Sequence, residues 1–218
     1  MALTLAIGNK NYSSWSMRPW MALKNAGIAF DEVVIPLYTG PSDKQRILDF
    51  TRSGKVPALV DGDLTVWDSL AIIEYVAERF PEARLWPQDV AARAHARSIS
   101  AEMHSGFVPL RNECGMNIHR PVGSKSLSAD ARDNIVRVQQ IWSECRAKHG
   151  GQGPYLFGAF TGADAMYAPV IHRFRTYDIE VTPVVRAYMD TMLANAAFRE
   201  WTDAALAETL IIEKFEID

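Results

Sequence analysis

The sequence predicts two unlike halves, an α/β half built on a mixed four-stranded sheet and an all-helical half after it. Three observations carry this expectation. Over the first 80 residues, short apolar stretches of period two alternate with stretches of helical period. Next comes F-P-E-A-R-L-W-P-Q-D, residues 80–89, which holds two prolines and has no periodicity. Beyond it, every periodic stretch is helical. The expected division is therefore a domain at 1–80, a linker at 81–90 and a second domain at 91–218. A cleft between two such layers is a favoured place for ligands.

The elements follow in chain order. Leu3, Leu5 and Ile7 alternate with small or polar neighbours and read as a strand ending at Gly8-Asn9. Residues 17–26 read as a helix, with Pro19 tolerable in a first turn and Gly27 as its C-terminal stop. F-D-E-V-V-I-P-L (30–37) is a second strand, and S-D-K-Q-R-I-L-D-F (42–50) a short helix. V-P-A-L-V and L-T-V-W are strands joined by Asp61-Gly62-Asp63, whose Asp-Gly pair favours a tight hairpin. From Ser69, Leu70, Ile73, Val76 and Phe80 recur at helical spacing. A β-α-β unit makes a parallel pair and a hairpin an antiparallel one, so the sheet is mixed. In the second half, Ile135, Val138, Trp142 and Cys145 line one helix face, and Val185, Tyr188 and Met192 another. A glycine-rich break, H-G-G-Q-G-P-Y-L-F-G, lies between them.

Composition excludes several function classes. Hydrophobic residues are 48 % and charged residues 22 %, ordinary for a globular chain. A net charge of −3 with scattered arginines gives no electrostatic reason to expect nucleic acid or an anionic membrane. Cys114 and Cys145 form no CxxC, so neither a metal site nor a disulfide framework is expected, and free thiols suit a reducing cytosol. No apolar run reaches the length needed to span a bilayer, and the first ten residues lack the basic flank of a signal peptide.

Five short stretches stand where chemistry could occur. N-Y-S-S-W-S-M-R-P-W (11–20) places three serines and an arginine between a strand and a helix. Serines there are ordinary N-caps, and Ser16 is the natural one for a helix opening at 17. Val56-Pro57 opens a strand, which on a bare reading is an edge strand that tolerates a missing N–H. Asp68-Ser69 opens a helix, where Asp68 can cap and the free N–H groups can receive a carboxylate. P-L-R-N (109–112) and T-G-A-D (161–164) lie in the helical half.

V-P-A-L, D-S and T-G-A-D, in this order and spacing, resemble the cytosolic glutathione transferases over essentially the whole chain. S-S-W-S-M-R resembles the S-S-C-S-x-R signature of their zeta class, and more loosely the serine of the theta class. P-L-R-N is similar to zeta P-L-Q-N. The resemblance implies a thioredoxin-like N-terminal domain that binds glutathione as co-substrate, and an all-helical domain that lines an electrophile pocket. It implies Ser13 as the thiolate-stabilising hydroxyl, with Ser14 as its rival. Trp15, Lys55, Val56, a cis Pro57, Asp68, Ser69 and Asn112 would hold glutathione, with Gln45 and Arg46 as weaker candidates. His104, Phe107 and Arg111 would line the electrophile pocket, and Arg18 would either bring positive potential or lie on the surface. Only a thiolate attacks an electrophile, and a hydroxyl donating to sulfur favours that form. Trp15 stands where the zeta signature has cysteine. The expected activity is a glutathione transferase acting on a small electrophile. A zeta-like maleylacetoacetate-type cis-trans isomerase and a non-catalytic binding or assembly module are the alternatives. A cytoplasmic homodimer without metal is also implied.

Overall fold

A computed structural model describes residues 2–40 and 42–216. Strand β1 (Leu3–Ile7) pairs in parallel with β2 (Phe30–Val34) and antiparallel with β3 (Ala58–Asp61). β4 (Leu64–Trp67) completes the order β2-β1-β3-β4 through the hairpin at Gly62, whose φ of 59° suits glycine. The sheet is therefore mixed, and the half it belongs to is thioredoxin-like. Leu3, Leu5 and Ile7 join the main core, while Ala6 faces a smaller cluster with Ile35, Ile47 and Ala58. That division is the period-two pattern made physical.

Helix α1 (Ser14–Asn25) begins at Ser14 and not at Met17. Pro19 consequently falls in the second turn, where it has no N–H to offer the Trp15 carbonyl. The far end behaves as expected. Gly27 has φ 67°, its N–H reaches the Lys24 carbonyl at 3.1 Å, and the Ile28 N–H reaches Leu23 at 3.1 Å. α2 (Ser42–Leu48) covers the small cluster, and α3 (Ser69–Arg79) packs beside α1. β3 has a neighbour on each side, so Pro57 does not open an edge strand.

The second half contains α4 (Val90–Ser105), α5 (Val108–Glu113), α6 (Ala129–His149), α7 (Gly162–Thr176), α8 (Pro183–Ala194) and α9 (Ala196–Leu206). Among the described residues, no helix is long and apolar enough to cross a membrane. α7 is buried almost throughout and packs on α1 and α4. Its first residue has to be small: a Cβ on Gly162 would lie 2.9 Å from both Ile73 and Trp86. Asp164 then secures the turn. It accepts the Thr161 N–H at 2.8 Å, the Thr161 hydroxyl at 2.9 Å, the Leu156 N–H at 3.0 Å and the Tyr188 hydroxyl at 3.1 Å.

His172 on α7 stacks on Phe198 with ring centroids 4.4 Å apart. Burial, and then the charge of Arg175, lowers its pKa from 6.5 to about 3. The unfolded chain therefore binds a proton below about 6.5 that the folded chain refuses. This contribution to stability is complete above that pH and is lost as pH falls toward about 3. Denaturant unfolding of wild type and His172→Gln across this range should show the gap between them shifting against wild type by about 1.4 kcal/mol per pH unit of acidification. A constant gap would mean that His172 titrates alike in both states.

Candidate functional site

A cavity of about 1640 Å³ opens where the two halves meet. Tyr12, Ser13, Ser14 and Trp15 form its floor at the start of α1, with Lys55, Val56 and Pro57 on one wall. Trp67, Asp68 and Ser69 supply another wall, and Arg111, Asn112 and Arg173 reach in from the helical half.

The serines divide by their partners. Ser13 is the N-cap residue of α1, yet its side chain makes no capping bond. Its hydroxyl donates to Ser16 Oγ at 2.7 Å. Ser16 is fully buried and accepts the Gly8 N–H at 3.0 Å, which ties α1 to the end of β1. The capping role expected of Ser16 is thus absent, because the helix starts two residues before it and Ser16 lies inside the first turn. Ser14 Oγ accepts from Arg173 Nη2 at 3.3 Å.

Three guanidinium groups converge behind these hydroxyls. Arg18 is 2 % exposed, which removes its surface reading. Its Nη1 donates to Ser69 Oγ at 3.5 Å, and its Nε is buried with no hydrogen-bond partner. Burial, and then the charges of Arg111 and Arg173, lower its pKa to about 9. Arg173, 5 % exposed, is lowered to about 10 by burial and then Arg111. It donates to the carbonyls of Arg111, at 3.1 Å, and of Cys114, the C-terminal end of α5. Trp15 lies among them, with Arg18 4.3 Å and Arg111 4.6 Å from its ring centre and His104 edge-on at 5.2 Å.

The Val56–Pro57 peptide is cis. Pairing of β3 with both neighbours begins at Ala58, so Val56 lies outside either ladder. Asp68, at φ 76°, caps α3 through Oδ1, which accepts the Leu70 N–H at 2.9 Å and the Ala71 N–H at 3.4 Å. Its Oδ2 meets His104 Nε2 at 2.7 Å. His104 and Phe107 do not line the cavity: His104 orients Asp68 from behind, and Phe107 is 8 % exposed in the main core. On α2 the cavity is lined by Asp43, Lys44 and Ile47, with Gln45 and Arg46 away from it. Both cysteines are buried, and burial raises Cys114 to about 11 and Cys145 to about 12, so neither is a ready thiolate.

A C-terminal strap, residues 208–216, closes one side of the cavity. Glu208 accepts the backbone N–H groups of Lys10, at 2.6 Å, and Asn11, at 3.0 Å. The Tyr12 hydroxyl donates to Glu216 at 2.5 Å and accepts the Ile212 N–H at 3.3 Å. Ile212, Lys214 and Phe215 thereby join the lining. Sequence reasoning missed these residues, along with Arg173 and Lys44. Arg173 sits in a helix that is mostly apolar, and the strap carries no periodic signal.

The family model "Glutathione S-transferase, N-terminal domain" matches residues 12–79, and the corresponding C-terminal domain model matches 125–204. A glutathione S-transferase 1 from Dianthus caryophyllus is 32 % identical over 192 residues, 86 % of each chain. The chain belongs to the glutathione S-transferase family. A maleylacetoacetate isomerase from Rattus norvegicus is 30 % identical over 191 residues, 85 % of each chain. A Burkholderia glutathione transferase homolog solved with bound glutathione superposes with a TM-score of 0.71 at 22 % identity, over 94 % of this chain and 98 % of that one. This likeness shows the shared fold. As a glutathione transferase, the chain needs a bound thiol, a means to ionise it and a place for an electrophile.

Proposed function

We propose that the cavity binds glutathione with its sulfur at Ser13 and Ser14, and that the thiolate formed there attacks a small electrophile held against the helical half. The observation that carries this reading is that Ser13 stands at the N-cap of α1 without spending its hydroxyl on the cap. In this reading Ser14 also has a proton free for sulfur, because its oxygen already accepts from Arg173. Guanidinium charge and the α1 N-terminus both favour the ionised thiol. The tripeptide backbone would pair with Val56 beside cis Pro57, as an added strand. Ser69 and the N-terminus of α3 would receive the γ-glutamyl carboxylate, with Asp68 beside its ammonium group. Lys55, joined by Lys44, would face the glycyl carboxylate, and Asn112 and Trp15 would complete the site. Residues 1–80 are then the glutathione-binding domain, 81–90 the linker and 91–218 the domain that shapes the electrophile pocket, with Arg111 on its wall.

The test is the ultraviolet absorbance of the bound thiolate as a function of pH, for wild type, Ser13→Ala and Ser14→Ala. A charged hydrogen bond contributes about 1.5–3 kcal/mol, so removing the one on sulfur should raise the bound thiol pKa by roughly one to two units. Should both variants titrate like wild type, the serines do not touch sulfur.

A second reading, a maleylacetoacetate-type isomerase, is favoured by the convergence of Arg18, Arg111 and Arg173 beside Asp68. Such a site suits an electrophile that carries its own carboxylate, although Trp15 occupies the position of the zeta cysteine. Turnover of an unsaturated acid and its methyl ester separates the two readings. Isomerase-type recognition predicts about tenfold or more preference for the acid, in line with one charged pair, and loss of that preference in Arg111→Met. Equal turnover of acid and ester would leave only the general transferase reading.

The working form in this proposal is a cytosolic homodimer. β4 is a sheet edge with exposed Leu64, apolar surface of the kind a second chain covers. Sedimentation at twice the 24.4 kDa chain mass is the expected result, and sedimentation at one chain mass would refute it.

A further inference from the structure

We infer that Ser16, which lines no part of the cavity, is a positioning residue that strengthens Ser13 as a hydrogen-bond donor to the glutathione sulfur. The inference rests on the transferase reading above and extends it by one buried hydroxyl. Three groups are strung in line: the Gly8 N–H meets Ser16 Oγ at 3.0 Å, and Ser16 Oγ lies 2.7 Å from Ser13 Oγ. Only Ser13 reaches the cavity, while Ser16 is fully buried. The first donor cannot turn around, because a backbone N–H only donates. Ser16 can do both, since a hydroxyl carries one proton and two lone pairs.

Without a thiolate, Ser13 donates to Ser16. A thiolate at Ser13 demands that proton for itself. Ser13 then turns its O–H toward sulfur, and Ser16 turns its own O–H toward Ser13 Oγ, still accepting from Gly8. Each hydroxyl keeps its proton, no bond to oxygen breaks, and the thiol proton leaves to water. The result is a chain running one way, from Gly8 through Ser16 and Ser13 to sulfur. Hydrogen bonds in such a chain polarise one another, so Ser13 donates more strongly than an isolated serine would. With Ser16 removed, Ser13 Oγ has no donor behind it and its rotamer is no longer held. Gly8 fits this arrangement, because a Cβ there would lie 3.2 Å from Ser13 Oγ and 2.5 Å from Leu37.

The experiment is pH titration of the bound-thiolate absorbance in a double-mutant cycle of Ser16→Ala and Ser13→Ala. Ser16→Ala should raise the bound thiol pKa by about half a unit, about a threefold loss of thiolate at a pH below it, with the KM for glutathione little changed. In the Ser13→Ala background, the same substitution should have no further effect. Ser16→Thr, which keeps the hydroxyl, should restore the wild-type value. If Ser16→Ala is too unstable to purify, Ser16→Cys is near in size and a weak donor, and should shift the pKa in the same direction. An unchanged pKa in Ser16→Ala or Ser16→Cys, or an equal shift with and without Ser13, overturns the inference and leaves the transferase reading intact. Wild type that binds glutathione without any thiolate band takes both down.

Discussion

Everything in the cleft depends on α7 being buried against α1. α7 can come that close because Gly162 has no side chain where Ile73 and Trp86 approach, and because Asp164 gathers four donors into its first turn. Near the other end of the same helix, Arg173 reaches Ser14 and the closing carbonyls of α5. One rigid element thus fixes the hydroxyl at the head of α1, the end of α5 and the core between the halves. The core is correspondingly continuous, running from Leu3 and Leu5 under the sheet to Trp201 on α9. Where one core spans both halves, the distance between a serine on one side and an arginine on the other is set by packing and not by a flexible linker.

That rigidity explains how so much positive charge can be kept beside the site. Arg18 and Arg173 are almost completely buried, and after burial itself the charge of Arg111 lowers the pKa of each. Their cost of burial is offset by carbonyls, by serine hydroxyls and by the face of Trp15. An anion arriving in the cavity removes part of that cost. Placing the charge in advance means that little reorganisation is needed when sulfur ionises, which is the usual way a protein favours a charged intermediate. Asp68 is handled similarly: it spends one oxygen on the α3 cap and the other on His104, so its carboxylate is held in a single orientation.

Much of the architecture was legible in residue order. Alternating Leu3, Leu5 and Ile7, the Asp61-Gly62-Asp63 turn and the stop at Gly27 each follow from local rules, and each stands in the structure where those rules put it. Local rules failed at the start of α1. Serines before a helix look alike in sequence, and Pro19 argued for a later start. Tertiary contact moved the helix start to Ser14 and turned Ser16 from a cap into a buried tie to Gly8. Phe107 was misplaced for a related reason. Its φ of 59° at the head of α5 turns it into the core, and no spacing rule foretells a left-handed phenylalanine.

By itself the sequence determined the two-part fold, the mixed sheet, and the placing of Val56-Pro57 and Asp68-Ser69 at the ends of their elements. Such features depend on neighbours a few residues apart, and periodicity and turn chemistry report them directly. Only the tertiary structure decided which serine lies behind which, and that Arg173 stands 159 positions from the serine it touches. It also decided that the strap at 208–216 folds back onto Lys10, Asn11 and Tyr12. Contacts between residues so far apart in the chain follow from how whole helices pack, and packing depends on the complete set of side-chain shapes rather than on any short pattern.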